Sequence, residues 1–144
     1  KVTYFEQSAE ALLESFELSH KRDTLVHNLS RGMRQKVAIA CAFLHDPKAI
    51  LFDEPLTGLD PQGIRGIQQA IRDRAREGAA IIISSHLLSL FETLCTHLMV
   101  LNLGECRRFG TMSDVLSEFG QSDRNSALEA AYFTITQDKA MGEV

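Results

Sequence analysis

Within thirteen residues, Lys48 to Asp60, the chain packs an apolar run, two adjacent carboxylates and a turn, and this stretch narrows the possible folds more than any other. Ala49 to Phe52 is continuously apolar between Pro47 and Pro55. That pattern predicts a parallel strand buried on both faces, not an alternating surface strand. Asp53 and Glu54 follow at its carboxyl end, where open α/β sheets place their ligands. Two charges set against an apolar strand end cost free energy unless a metal, donor or ligand compensates. The pair is therefore a site candidate and not merely a solvated loop.

In sites that hydrolyse nucleotides, the first acid of such a pair can hold Mg²⁺, usually through water, and the second can orient and deprotonate the attacking water. Beyond the pair, Pro55 to Asp60 turns the chain, and Pro61 starts a helix with Ile64, Ile67, Ile71 and Ala75 inward, ended by Gly78. Ala79 to Ser84 is again apolar and β-branched, so strand, helix and strand predict a right-handed parallel crossover. The chain then delivers His86 to the sheet edge that carries Asp53 and Glu54, where an imidazole can donate to a phosphate oxygen or bound water.

Upstream, Ala9, Leu12, Leu13 and Phe16 recur at helical spacing and predict a helix over Glu6 to Leu18, followed by a polar connection from Ser19 to Val26. Ser30 suits the cap of a second helix with Met33, Val37, Cys41 and Leu44 on one stripe, ending before Pro47. A helix start with a serine hydroxyl and the side-chain-free Gly32 suits an anion, although most such caps are ordinary structure. Downstream, Leu87 to Leu94 reads as a short helix, and Leu98 to Leu101 with Cys106 to Phe109 as a hairpin around Gly104. Ser113 caps a predicted helix to Phe119, Gln121 to Asn125 is a polar linker, and Ala127 to Ile135 is a last helix.

Composition excludes several classes. With 44% apolar residues the chain has enough for a modest core, and no apolar run approaches the roughly 20 residues that span a bilayer. A net charge of −4 without a basic block argues against nucleic acid as a partner. Cys41, Cys95 and Cys106 are too scattered for a zinc site, and an odd count suits a reducing compartment better than a disulfide framework. His20 and His27 have no partner at metal-site spacing and read as surface or capping residues, and His45 and His97 read as structural. The chain opens on Lys1 and not on Met, which is what a piece of a longer polypeptide would show.

Taken in order, these pieces resemble the nucleotide-binding subunit of ATP-binding cassette (ABC) transporters over nearly the whole chain. Leu29-Ser30-Arg31-Gly32-Met33 resembles the family signature, with Arg31 and Met33 where the family usually carries Gly and Gln. Ile50 to Glu54 resembles the Walker B strand, Leu59-Asp60 the D-loop and His86 the switch histidine. Four motifs in family order are specific where one is not. The resemblance implies an α/β fold, a partial P-loop NTPase with parallel core strands flanked by helices. Residues 1–46 would be part of the helical signature subdomain, 47–111 the catalytic core and 112–144 a helical tail.

By the same resemblance, ATP and Mg²⁺ would be bound, with Asp53 on the metal, Glu54 as general base and His86 at the γ-phosphate. Ser30 and Gly32 would close on ATP held by a second nucleotide-binding subunit, and Asp60 would couple the two sites. A transmembrane permease would be the other partner, at the cytoplasmic face of the membrane. Gly32-Met33, Gly58-Leu59-Asp60-Pro61 and the short tail after Tyr132 resemble the bacterial exporter branch. No glycine-rich loop ending Gly-Lys-Ser/Thr occurs in these residues, and the family places it upstream of Lys1, so the chain alone is expected to bind ATP poorly and hydrolyse essentially none. Two other readings stand beside the exporter: a cassette ATPase without a transport role, and a non-catalytic partner that keeps only the dimer-contacting half.

Overall fold

The computed structural model describes residues 2–92, 94–118 and 127–137. The chain falls into two compact units, Lys1–Ser85 and His86–Val144.

The first unit opens with α1 (Val2–Ser15). It starts before the predicted Glu6 and ends before Leu18, because the chain reverses at Glu17, whose φ is +60°. The reversal is closed by Glu17 N–H donating to the Glu14 carbonyl at 3.0 Å and Leu18 N–H to the Leu13 carbonyl at 2.7 Å. This is a Schellman closure. Phe16 and Leu18, each 2% exposed, thus enter the core from the turn and not from the helix face. Two short 3₁₀ turns, Ser19–Lys21 and Val26–Asn28, occupy the predicted polar connection.

Helix α2 (Arg31–Phe43) buries Lys36, Ile39, Ala40 and Phe43. The predicted stripe of Met33, Val37, Cys41 and Leu44 lies on neighbouring, more open faces, and Cys41 is exposed. Apolar residues cover two adjoining stripes of this helix, and contact with α1 and with α3 (Pro61–Arg76) selects one of them. Phe43 and Ile67 of α3 are fully buried, and Phe43 meets Phe52 edge-on with centroids 5.6 Å apart.

Strands β1 (Ala49–Asp53) and β2 (Ala80–Ser84) pair in parallel, from Ala49 opposite Ala80 to Asp53 opposite Ser84. α3 connects them. Pro61 occupies its first turn, and Gly78, with φ +97°, follows its end as predicted. The expectation that the strands are covered on both faces holds for one face only. Ile50 is buried, whereas Leu51 and its partner Ile82 are 76% and 65% exposed.

The second unit contains α4 (Leu88–Phe91), an antiparallel hairpin of β3 (His97–Asn102) and β4 (Glu105–Thr111), then α5 (Met112–Glu118) and α6 (Ala127–Gln137). The hairpin turns at Leu103 and Gly104, both with positive φ, as a primed turn requires. The cap of α5 is Thr111, whose Oγ1 accepts from Asp114 N–H at 3.2 Å, and not the predicted Ser113. Val100, Val115, Leu128 and Ala131 form this unit's core. Phe119 and the linker from Gln121 to Asn125 lie outside the described residues.

Candidate functional site

The parallel register sets Asp53 opposite Ser84, and Glu54 and Ser85 are the residues that follow the two strands. Ser84 Oγ donates to Asp53 Oδ1. Ser85 Oγ donates to Glu54 Oε2 at 3.4 Å, and Thr57 Oγ1 donates to the same oxygen at 3.1 Å. Consecutive acids on one strand therefore meet consecutive serines on the next, so both carboxylates carry hydroxyl donors at the strand ends.

Glu54 leaves the strand with φ +48°, a left-handed conformation uncommon outside glycine. Its N–H donates to the Ser84 carbonyl at 3.1 Å, and its own carbonyl accepts from Thr57 N–H at 3.2 Å. Pro55 and Leu56 are fully buried beneath this turn. Gly58, with φ +79°, supplies the second reversal, where Leu59 N–H approaches the Leu56 carbonyl at 3.4 Å. Asp60 then caps α3, accepting from Gly63 N–H at 2.6 Å.

The start of α2 rests on this turn. Ser30 Oγ accepts from Met33 N–H at 3.2 Å, as its predicted cap role requires. A methyl group at Gly32 would stand 3.2 Å from the Gly58 carbonyl oxygen, so glycine is what lets the two backbones approach so closely. Gln35 Nε2 donates to the Pro55 carbonyl at 3.3 Å, and the Arg31 side chain lies over Gly58. Of the residues singled out in the sequence, Ser30, Gly32, Asp53, Glu54 and Asp60 thus belong to one unit, with the α2 start and the turn after β1 in direct contact. His86 follows β2 by two residues and opens the second unit.

Sequence reading missed the hydroxyls of Thr57, Ser84 and Ser85. A signal was present: once β1 and β2 are aligned as parallel neighbours, Ser84 falls opposite Asp53 and Ser85 follows it. Among the described residues no group of three or more His, Cys, Asp or Glu could hold a metal. Asp53 is exposed and offers oxygen ligands alone. That suits Mg²⁺, which commonly takes one or two carboxylates and completes its shell with water and phosphate.

A parallel strand pair joined through a helix, with carboxylates at its carboxyl end, is the arrangement in which open α/β folds place their ligands. Comparison with known proteins narrows the class. The family model described as ABC transporter matches residues 3–57. EcsA of Bacillus subtilis, an ABC-type transporter ATP-binding protein, is 35% identical over 129 residues, covering 90% of this chain and 51% of EcsA. The Nod factor export ATP-binding protein I of Cupriavidus metallidurans is 38% identical over 93 residues, 65% of this chain and 31% of that protein. A solved ATP-binding subunit of an ABC transporter superposes with a TM-score of 0.83 at 32% identity, over 94% of this chain and 55% of that one. The chain is similar to ABC transporter ATP-binding proteins over most of its length, and its fold is a partial P-loop NTPase. It spans about half the length of EcsA and of that solved subunit.

Proposed function

We propose that this chain is part of the ATP-hydrolysing subunit of an ABC membrane exporter, in which ATP-driven closure of a dimer drives a permease. The observation that carries the reading is the paired carboxylate edge of β1, Asp53 and Glu54, with the α2 start docked on the turn that follows it. Residues 1–46 would supply part of the signature-bearing helical subdomain, 47–111 the catalytic core and 112–144 a helical tail. Export is favoured by the likeness to a protein named for Nod factor export. No described helix is long and apolar enough to cross a membrane. In this reading a transmembrane permease is the partner, met at the cytoplasmic face.

In this reading Asp53 holds Mg²⁺, which when bound neutralises charge developing on the phosphate oxygens. Glu54 accepts the proton of the attacking water. Ser30 uses an acceptor lone pair on Met33 N–H, and its O–H remains a donor for a phosphate oxygen; the neighbouring Gly32 leaves room for the approach. Those donors serve ATP held by a second subunit, His86 contacts the γ-phosphate, and Asp60 couples the two sites. The test is Glu54→Gln in the natural protein. ATP binding persists while turnover falls by about 10²- to 10⁴-fold, the usual contribution of a positioned base. Near-normal hydrolysis by that variant removes Glu54 from the role.

A further inference from the structure

We propose that Thr57 is a positioning residue for hydrolysis, its hydroxyl holding the Glu54 carboxylate in the orientation in which it meets the attacking water. The inference rests on Glu54 acting as the base.

The local backbone leaves little freedom at this point. Glu54 is fixed in the left-handed region at φ +48°, with its N–H on the Ser84 carbonyl and its carbonyl on Thr57 N–H. A non-glycine residue persists there only when its surroundings over-determine it, and such residues gather at functional sites. The same turn returns the Thr57 side chain to Glu54, with Oγ1 3.1 Å from Oε2. Ser85 Oγ, just past the end of β2, reaches the same oxygen at 3.4 Å, so the carboxylate is held from the turn and from the end of the neighbouring strand. A glutamate's last torsion is soft and roughly two-fold, so hydroxyl donors of this kind narrow the carboxylate's orientation. A base that must meet one water in line loses rate steeply when misaligned. Thr57 makes the shorter bond.

An ordinary turn-closing hydrogen bond would look the same in a static structure, so the test separates the two roles by kinetics in the natural protein. Thr57→Val keeps the β-branched shape and removes the donor. We expect kcat to fall about 10- to 100-fold, the range for losing a hydrogen bond to a charged group, with KM for ATP and the unfolding midpoint unchanged. Thr57→Ser, which keeps the hydroxyl, restores turnover. In a Glu54→Gln background Thr57→Val removes nothing further, since the base it orients is gone. A silent Thr57→Val beside an inactive Glu54→Gln overturns the positioning role alone, as does a further loss in the Gln background or a serine variant as slow as valine. Near-normal turnover by Glu54→Gln overturns the base reading and the positioning role together.

Discussion

Gly63→Ala inverts the usual rule for glycine in a helix. Alanine is ordinarily favoured there by about 0.5–1 kcal/mol, because glycine loses more backbone freedom on folding. At Gly63, in the first turn of α3, an added methyl would stand 2.6 Å from Lys36 Cε, 3.2 Å from Lys36 Nζ and 3.1 Å from Asp60 Oδ1. Carbon atoms rest at about 3.5–4 Å, so the overlap with Cε is about 1 Å. The far end of a lysine would normally swing away. Lys36 is only 8% exposed, however, and its Nζ donates to the Phe16 carbonyl at 3.3 Å, where α1 reverses. Moving it breaks that bond, at about 1 kcal/mol, and overpacking adds about 1–3 kcal/mol. Against the helix gain, the net is a loss of about 1–3.5 kcal/mol. In a Lys36→Ala background only the 3.1 Å approach to Asp60 Oδ1 remains, and Gly63→Ala is then less destabilising by at least about 1 kcal/mol. Urea unfolding of the natural protein, the two single variants and the double variant measures both effects. Stabilisation by Gly63→Ala with Lys36 present, or equal effects in the two backgrounds within about 0.5 kcal/mol, would refute the reasoning.

Ser30→Ala loses the acceptor for Met33 N–H and should cost about 1 kcal/mol in urea unfolding, against only a few tenths for Ser30→Gly. The same alanine variant should weaken nucleotide-driven dimerisation more than ATP binding by the monomer; equal loss of both contradicts a contact made across the dimer. Burial pushes the Cys95 thiol above its ordinary range, while Cys41 and Cys106 are exposed. At pH 8 Cys95 carries the smaller thiolate fraction and should be alkylated by iodoacetamide more slowly than the other two, as peptide mass spectrometry would show. Alkylation of Cys95 first would contradict its placement.

Much of the first unit is legible because local chemistry and tertiary packing agree there. Ser30, Pro61 and Gly78 act where their side chains or conformations predict, and β1 and β2 pair in the expected sense. The end of α1 is not legible in the same way. Phe16 continues the apolar period of that helix, so period alone keeps the helix running, but the chain reverses at Glu17 without the glycine that usually marks such a turn. On α2, two apolar stripes adjoin and only packing chooses between them. Lys36 is on the chosen face because its stem buries with the core while its amine reaches the Phe16 carbonyl, a partner 20 residues away in sequence.

The carboxylate edge shows a sharper limit of one-dimensional reading. Asp53 and Glu54 stand out because two charges beside an apolar run are costly, and that cost is visible in composition alone. What meets them is not visible until β1 and β2 are paired, since Ser84 and Ser85 look like an ordinary polar strand end. The same pairing explains Leu51 and Ile82. Their continuous apolar runs predict burial on both faces, yet these two side chains stand opposite each other in register on the open face. A strand with one solvated face would alternate polar and apolar residues. An isoleucine and a leucine paired there fit strands selected to be covered on both sides, which accords with a chain that spans about half of EcsA. The acids lie at the end of this pair, so whatever covers that face would also come close to the edge where the chemistry would occur.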